Sequence, residues 1–379
     1  MKSKKINIIV GGTFHVQILF NQLNDLGYDV RIYTSTPAFK FKENKIRSKV
    51  VFIPMFFQII KKIFNFNLRP WMKCLDQYIF DKITSWIMRD AQIVYGFAFC
   101  SLACGKKIKK MGGKYFLDRA CPHIDFQNSI LNEESKKNGN IMYFSSGPSV
   151  IKRAVDEYDL ADKIITPSTF TKKSFLAKGF DKKKIYIAPL VIKNKIPHFN
   201  KRKLNNLDSL TFAFVGENIL RKGLIYLLNA WKLLGNNHKH NLIIRSNSSY
   251  IYSSKLINNL LNQKGILVKE YYKDISNFYK EVDVLCLPSI DEGFGMVVLE
   301  AMSYGIPVII SENVGAKDFV INGVNGLIVK KQSVNDVLDS MQFFINNKKE
   351  VYNFGKQAHR SVQILLKKNL YKNALKKFL

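Results

Sequence analysis

Two carboxylates flank a glycine-rich turn at Glu292-Gly-Phe-Gly-Met-Val-Val-Leu-Glu300, directly after the apolar run Val282–Leu287 and Pro288. Gly293 and Gly295 allow the backbone of this turn to come close to a ligand. Amides left free at the start of the following helix form an anion site, and those of Phe294, Gly295 and Met296 lie at that point. Glu292 sits in the loop, whereas Glu300 lies about one and a half turns inside the helix. Carboxylates so placed suit the vicinal hydroxyls of a ribose or a hexose. Residue types alone also allow a plain reading, a strand, a glycine turn and an ordinary helix carrying a solvated Glu.

A second constellation is Phe214-Val-Gly216 followed by Arg221-Lys222-Gly223. A strand that ends in a loop with two cations, before a new helix, suits a diphosphate: Arg binds it bidentately and Lys acts as a point charge. The alternative is an ordinary charged loop. The third is Leu117-Asp-Arg-Ala-Cys-Pro-His123, where a His just past a strand end could orient a hydroxyl and titrate near neutrality. A lone His is also commonly structural. Gly11-Gly12-Thr13 forms a turn after the first strand, without the G-x-G-x-x-G spacing of a dinucleotide fingerprint.

The elements that must position these residues alternate between strand and helix. Ile6–Val10 reads as a buried strand, His15–Leu26 as a helix with Val16, Leu19, Phe20 and Leu23 on one stripe, and Asp29–Thr34 as the next strand. Further strands are expected at Ile93–Gly96, Lys114–Leu117, Lys163–Thr166 and Lys184–Ala188. The polar, basic stretch 193–209 reads as a linker. A second series follows: strands at Thr211–Val215, Asn241–Arg245, Val282–Leu287, Pro307–Ser311 and Gly326–Val329, with helices at Gly223–Leu234, Ser254–Gln263 and Met296–Tyr304. Repeated βα units imply parallel sheets covered by helices. The expected class is α/β, with a first domain at 1–192, a second at 210–345 and a helical tail at 346–379. At 379 residues the chain is long enough for two cores. Their strand ends could face one cleft, and the tail could pack back on the first domain.

The spacing of Glu292 and Glu300, followed by Ala301-Met-Ser-Tyr-Gly305-Ile-Pro307, Val314-Gly-Ala and Asn322-Gly-Val-Asn-Gly326, resembles the signature of the retaining family-4 glycosyltransferases, which have the GT-B fold of two facing Rossmann-like domains. The resemblance implies that Glu300 binds the donor ribose and Glu292 the hydroxyls of the transferred sugar. It places Phe294, Gly295 and Met296 amides against sugar and diphosphate, and Gly216, Arg221 and Lys222 around the phosphates. Glu217 stands where many members carry Arg. His123 matches the first-domain His that approaches donor sugar and acceptor, and Gly12 the glycine loop near the acceptor. Glu157–Ser168 matches a segment with a mainly structural role. The implied reaction moves a sugar from a nucleotide donor, UDP-type favoured, to a glycan or lipid-linked acceptor in envelope or polysaccharide biosynthesis. No metal and no cofactor are expected, and the leaving phosphate assists the acceptor's deprotonation. A phosphorylase or epimerase on the same fold is the enzymatic alternative.

Lys and Arg total 59 against 29 acidic residues, and a net charge of +30 favours an anionic partner or reflects a general Lys and Asn bias. A basic nucleic-acid- or membrane-binding protein without transferase activity is the remaining alternative, although no RNA or DNA module is recognisable and the charge is spread. Val50 to Lys73 interleaves Phe52, Phe56, Phe57, Ile59, Ile60 and Phe64 with Lys61, Lys62 and Arg69. That pattern suits either the surface of an anionic membrane or a helix packed on its own domain. The five Cys have irregular spacing and no C-x-x-C pair, so buried free thiols are expected rather than a disulfide framework or zinc site. Neither a signal peptide nor a run of about 20 apolar residues is evident. A cytoplasmic location is expected, with peripheral contact on the inner membrane face as an option.

Overall fold

A computed structural model describes residues 4–57, 59–60, 70–139, 141, 146–192, 196–197, 209–246, 254–269 and 275–379. The first sheet has seven strands: β1 (Lys5–Val10), β2 (Asp29–Thr34), β3 (Val50–Phe52), β4 (Ile93–Phe97), β5 (Lys114–Asp118), β6 (Lys163–Thr166) and β7 (Ile185–Ile187). Their order is β3-β2-β1-β4-β5-β6-β7, with every pair parallel. The second sheet has six: β8 (Thr211–Val215), β9 (Asn241–Arg245), β10 (Ile266–Lys269), β11 (Val284–Leu287), β12 (Val308–Ser311) and β13 (Gly326–Val329). Their order is β10-β9-β8-β11-β12-β13. In each sheet the chain first winds to one side and then returns past its first strand to the other. This creates switch points at β1/β4 and β8/β11, where ligands bind in open parallel sheets.

Central strands are apolar throughout because helices cover both faces; β4 and β11 bury every residue. α1 (Val16–Asp25) buries Val16, Leu19, Phe20 and Leu23, the expected stripe. The first domain continues with α2 (Pro70–Ile87), α3 (Leu102–Lys110), α4 (Ile124–Lys137), α5 (Pro148–Leu160) and α6 (Thr169–Leu176). The second contains α7 (Leu224–Leu233), α8 (Lys255–Leu261), α9 (Ile275–Glu281), α10 (Met296–Ser303), α11 (Val334–Asn346) and α12 (Lys348–Lys367). The tail divides in its packing. α12 joins the second core through Val351, Phe354, Ala358, Val362 and Leu365. The last helix, α13 (Leu370–Phe378), instead buries Tyr371, Ala374, Leu375 and Phe378 in the first core. A fully buried Phe contributes about 1.5–3 kcal/mol, and Phe378 is held further by its carbonyl, which accepts from Lys163 Nζ at 2.5 Å.

Most of the linker 193–209, and residues 58 and 61–69 of the basic aromatic stretch, lie outside the described residues. Within that stretch Val50–Phe52 forms the edge strand β3 rather than part of an amphipathic helix. All five cysteines are free; Cys100, Cys104 and Cys286 are buried, while Cys74 and Cys121 are half-buried.

Candidate active site

The two motif loops meet because their strands pair. β8 and β11 are neighbours, with Val284 opposite Phe212 and Leu285 opposite Ala213. The loop after β8 and the loop after β11 therefore leave the sheet side by side at its switch point. Gly216 has no side chain where the stem of Lys222 runs: a Cβ there would fall 2.5 Å from Lys222 Cδ. Lys222 Nζ ends 2.8 Å from Glu292 Oε2. Arg221 Nη1 lies 3.1 Å from the same oxygen and donates to the Asp291 carbonyl at 2.9 Å. Burial alone would push the Glu292 carboxyl up; the charges of Arg221 and then Lys222 hold it down at about 2. Two cations and one carboxylate leave the cluster with a surplus positive charge. Glu217 points into solvent and takes no part.

Gly295, with φ at +88°, caps α10 and sets the start of the helix that carries Glu300. Burial pushes the Glu300 carboxyl up, and Tyr279 donates its hydroxyl to Oε2 at 3.3 Å. A cavity of about 440 Å³ opens between the domains here, lined by Phe14, His15, Tyr279, Met296, Glu300 and Tyr304. Phe294 is buried, and its carbonyl accepts from the Ala316 amide at 2.6 Å. Gly12 stands in the turn after β1 of the first domain, where its carbonyl accepts from Thr34 Oγ1 at 3.2 Å.

The first domain also grips the Glu292 loop. Ser168 Oγ and Thr171 Oγ1 donate to the Gly293 carbonyl at 2.7 and 3.1 Å. Gln127 bonds Asp291, and the Thr169 amide donates to Asp318 at 2.7 Å. A Cβ on Gly293 would overlap the Ala120 carbonyl oxygen, so this residue must be glycine for the domains to touch as they do.

The structure thus brings together Gly216, Arg221, Lys222, Glu292, Gly293 and Gly295, with Met296 and Glu300 on the adjoining cavity wall. It does not bring His123 to them. His123 caps α4, its Nδ1 accepting from the Asp125 amide at 3.3 Å. The ring is enclosed by Tyr158, Phe175 and Phe180 at 5.1–5.5 Å between centroids. Burial lowers its pKa to about 4, so the ring is neutral. Among the described residues, no group of three or more His, Cys, Asp or Glu is arranged to hold a metal.

Three side chains at the cleft carry no sequence motif. His15 lines the cavity with Nε2 2.9 Å from Asp118 Oδ2, and Tyr95 donates to that same oxygen at 2.9 Å. Arg245, at the end of β9, is buried with its guanidinium 5.0 Å from the Phe278 ring centroid, and its charge acts on Glu300. Asp291 is fully buried beside Arg221, and burial pushes its carboxyl up.

Residues 196–361 match the family model described as glycosyl transferases group 1. Those residues, less than half of the chain, are similar to a group 1 glycosyltransferase domain, and the two parallel-sheet domains have the GT-B architecture of the structural neighbours. Among curated proteins it is 31% identical over 189 residues to an uncharacterized glycosyltransferase of Methanocaldococcus jannaschii, covering 49% of this chain and 50% of that one. A Staphylococcus aureus capsular polysaccharide biosynthesis glycosyltransferase, CapM, is 27% identical, covering 54% of each. An Escherichia coli UDP-Gal:α-D-GlcNAc-diphosphoundecaprenol α-1,3-galactosyltransferase is 29% identical, covering 45% and 44%. The chain spans about half the length of the curated relatives it matches. Among solved structures, sucrose-phosphate synthase of Thermosynechococcus elongatus superposes with a TM-score of 0.71 at 17% identity, covering 96% and 94%. Anabaena HepE, in complex with UDP-glucose, superposes at 0.66 with 13% identity, covering 99% of each chain. These likenesses establish the fold.

Proposed function

We propose that this chain is a glycosyltransferase that moves a sugar from a nucleotide-diphosphate donor, of UDP type, to a glycan or lipid-linked acceptor in polysaccharide or envelope biosynthesis. The observation that carries this reading is the largely buried Arg221–Lys222–Glu292 cluster at the β8/β11 switch point, next to the cavity that Glu300 lines. In this reading the surplus positive charge and the α10 amides take the diphosphate and stabilise it as it leaves. Glu300 takes ribose hydroxyls and Glu292 those of the sugar. Relatives named for capsule synthesis and for galactosyl transfer to a lipid diphosphate support the acceptor class. Retention of configuration rests on the family-4 resemblance.

Contact with an anionic membrane face belongs to the same proposal. No helix among the described residues is long and apolar enough to cross a membrane. α2 nevertheless exposes Leu75, Ile79, Ile83, Trp86 and Ile87, with Trp86 at 85%. Lys61→Glu/Lys62→Glu is expected to reduce pelleting with anionic vesicles, and a wild type that ignores such vesicles removes the membrane from the scheme. The donor is tested by screening nucleotide-sugars for thermal shift and then turnover, with product anomers assigned by NMR. Glu300→Ala and Lys222→Ala are expected to weaken donor binding; a wild type that binds no donor defeats the reading.

A further inference from the structure

We propose that the cavity between α2 and α5 of the first domain binds the hydrocarbon chain of a lipid phosphate, and that the cations on its rim hold the phosphate. The inference rests on the transferase reading. Of the two acceptor classes kept there, it selects the lipid-linked one and gives its anchor a site.

The place is set by topology. α2 runs into β4, α3 leaves β4 and α5 runs into β6, so all three helices start at the carboxyl ends of the strands. That end of an open parallel sheet is the one at which ligands bind. α3 packs against both α2 and α5, and a cavity of about 760 Å³ opens between those two. Its size falls within the roughly 300–1,000 Å³ of small-molecule pockets. Cys74, Leu75 and Tyr78 of α2, Phe99 and Leu102 at the start of α3, and Val150 of α5 supply most of its wall.

The apolar wall continues on the outside of α2. Asp76, Phe80, Thr84 and Met88 form the buried row of this helix. Leu75, Ile79, Ile83 and Trp86 follow one another at helical spacing and are exposed, with Tyr78 and Ile87 beside them. A contiguous apolar stripe turned to water marks a binding face. Leu75 and Tyr78 belong both to the stripe and to the cavity, so the cavity is an inward branch of that face.

The charges at the rim select the ligand. Lys152 and Arg153 line the cavity, and the Lys82 ammonium and the Arg153 guanidinium each lie 5.6 Å from the Tyr78 ring centroid. Buried Asp81 offsets Arg153 at 2.5 Å, and Asp156 offsets Lys152 at 3.4 Å. Lys82 therefore leaves the rim with a surplus positive charge. A soluble glycan has no group for the apolar wall, and a neutral lipid has none for the cations. A hydrocarbon chain that ends in a phosphate satisfies both.

The test uses farnesyl phosphate below its micelle concentration, with Cys74 as the reporter. Cys74 lines the cavity and is half-buried, and burial pushes its thiol up. Alkylation by iodoacetamide is therefore followed at alkaline pH and read by peptide mass, with the half-buried Cys121 as internal reference. At a probe concentration of about four times Kd, occupancy should slow alkylation of Cys74 about fivefold and leave Cys121 unchanged. Val150→Trp fills the cavity and should weaken binding about tenfold or more. Lys82→Glu/Lys152→Glu reverses the rim and should weaken it about fivefold. Tm and donor affinity are expected to hold in both. If Val150→Trp does not fold, Leu75→Asp at the half-exposed mouth decides by the same criterion. A Cys74 that farnesyl phosphate does not protect overturns the proposal, even where phosphatidylglycerol vesicles protect it, because the stripe is then a membrane surface only. Undiminished binding by the cavity-filled variant overturns it as well. A wild type that protects Cys74 but turns over no nucleotide-sugar sinks the transferase reading and leaves the lipid site. A wild type that glycosylates a soluble glycan with Cys74 unprotected sinks the lipid site alone.

Discussion

Replacing Lys222 by Met keeps the stem that lies over Gly216 and removes the ammonium. Nζ is 2.8 Å from Glu292 Oε2, and the side chain is only 11% exposed. At an effective dielectric of about 20, a unit pair at that distance attracts by about 6 kcal/mol. Most of this is offset by desolvation, which is why the net figure for a charge-assisted bond is only about 1.5–3 kcal/mol. A donor diphosphate must share Lys222 with Glu292, which places its loss at the lower end of that range. At about 1.4 kcal/mol per decade, the expected rise in donor Kd is about 10-fold, and about 100-fold at most. The formal charge of the cluster falls from a surplus of one to zero. The salt dependence of donor binding should therefore flatten as well, since long-range attraction is the part that ions screen. Calorimetric titration at low and high salt measures both. A folded variant that binds the nucleotide-sugar within twofold of wild type, with the same salt slope, would refute the assignment of Lys222 to the phosphates.

Three other perturbations test the surrounding geometry. Glu292 is held at about 2 against an ordinary value of 4.5; because the folded value is depressed, its stabilisation is present above pH 4.5 and lost as pH falls through about 2. The shift corresponds to about 3 kcal/mol, so Glu292→Gln should flatten Tm against pH across that window, and an unchanged slope removes the ion cluster as the cause. His123→Asn can replace the acceptor that caps α4, so Tm and kcat are both expected to change little; a 100-fold fall in kcat at constant Tm would return His123 to the chemistry. Gly293→Ala places a methyl group against the Ala120 carbonyl, and overpacking of this kind costs about 1–3 kcal/mol. The variant should show a larger radius of gyration by X-ray scattering and a fall in turnover, and an unaltered radius would show that the contact does not hold the domains together.

The central strands were legible because a parallel strand covered on both faces is largely apolar: β6, β8 and β9 fall at the expected residues, as do β2 and the edge strand β13. Two of the edge strands, β3 and β10, were not, because none of their residues is fully buried. The Glu292 loop and the Arg221-Lys222 loop were each visible as local patterns. Their mutual ion pair was not, since 70 residues separate Lys222 from Glu292 and only the pairing of β8 with β11 joins them. The two histidines make the limit sharper. His123 and His15 both stand just beyond a strand, and local residue types cannot rank them. Asp118 distinguishes His15, but it lies 103 positions away and becomes its neighbour through β1–β4–β5 pairing.

That pairing also explains why the two domains meet where they do. Each sheet presents its functional loops at the strand ends beside its own switch point, so a catalytic cleft requires the two points to face each other. The contacts that hold them concentrate on one peptide, the Gly293 carbonyl, which takes hydroxyls from Ser168 and Thr171 of the first domain. The same loop carries Glu292, and α10 behind it carries Glu300. A motion that releases Ser168 and Thr171 from Gly293 therefore moves the carboxylates that would hold the donor away from His15, the group facing them across the cavity. Domain closure and completion of the cavity are then one event: Ser168→Ala/Thr171→Ala should lower kcat while leaving intact the donor affinity that arises within the second domain. A loss of donor affinity equal to the loss in kcat would show that the first domain helps to form the donor site itself.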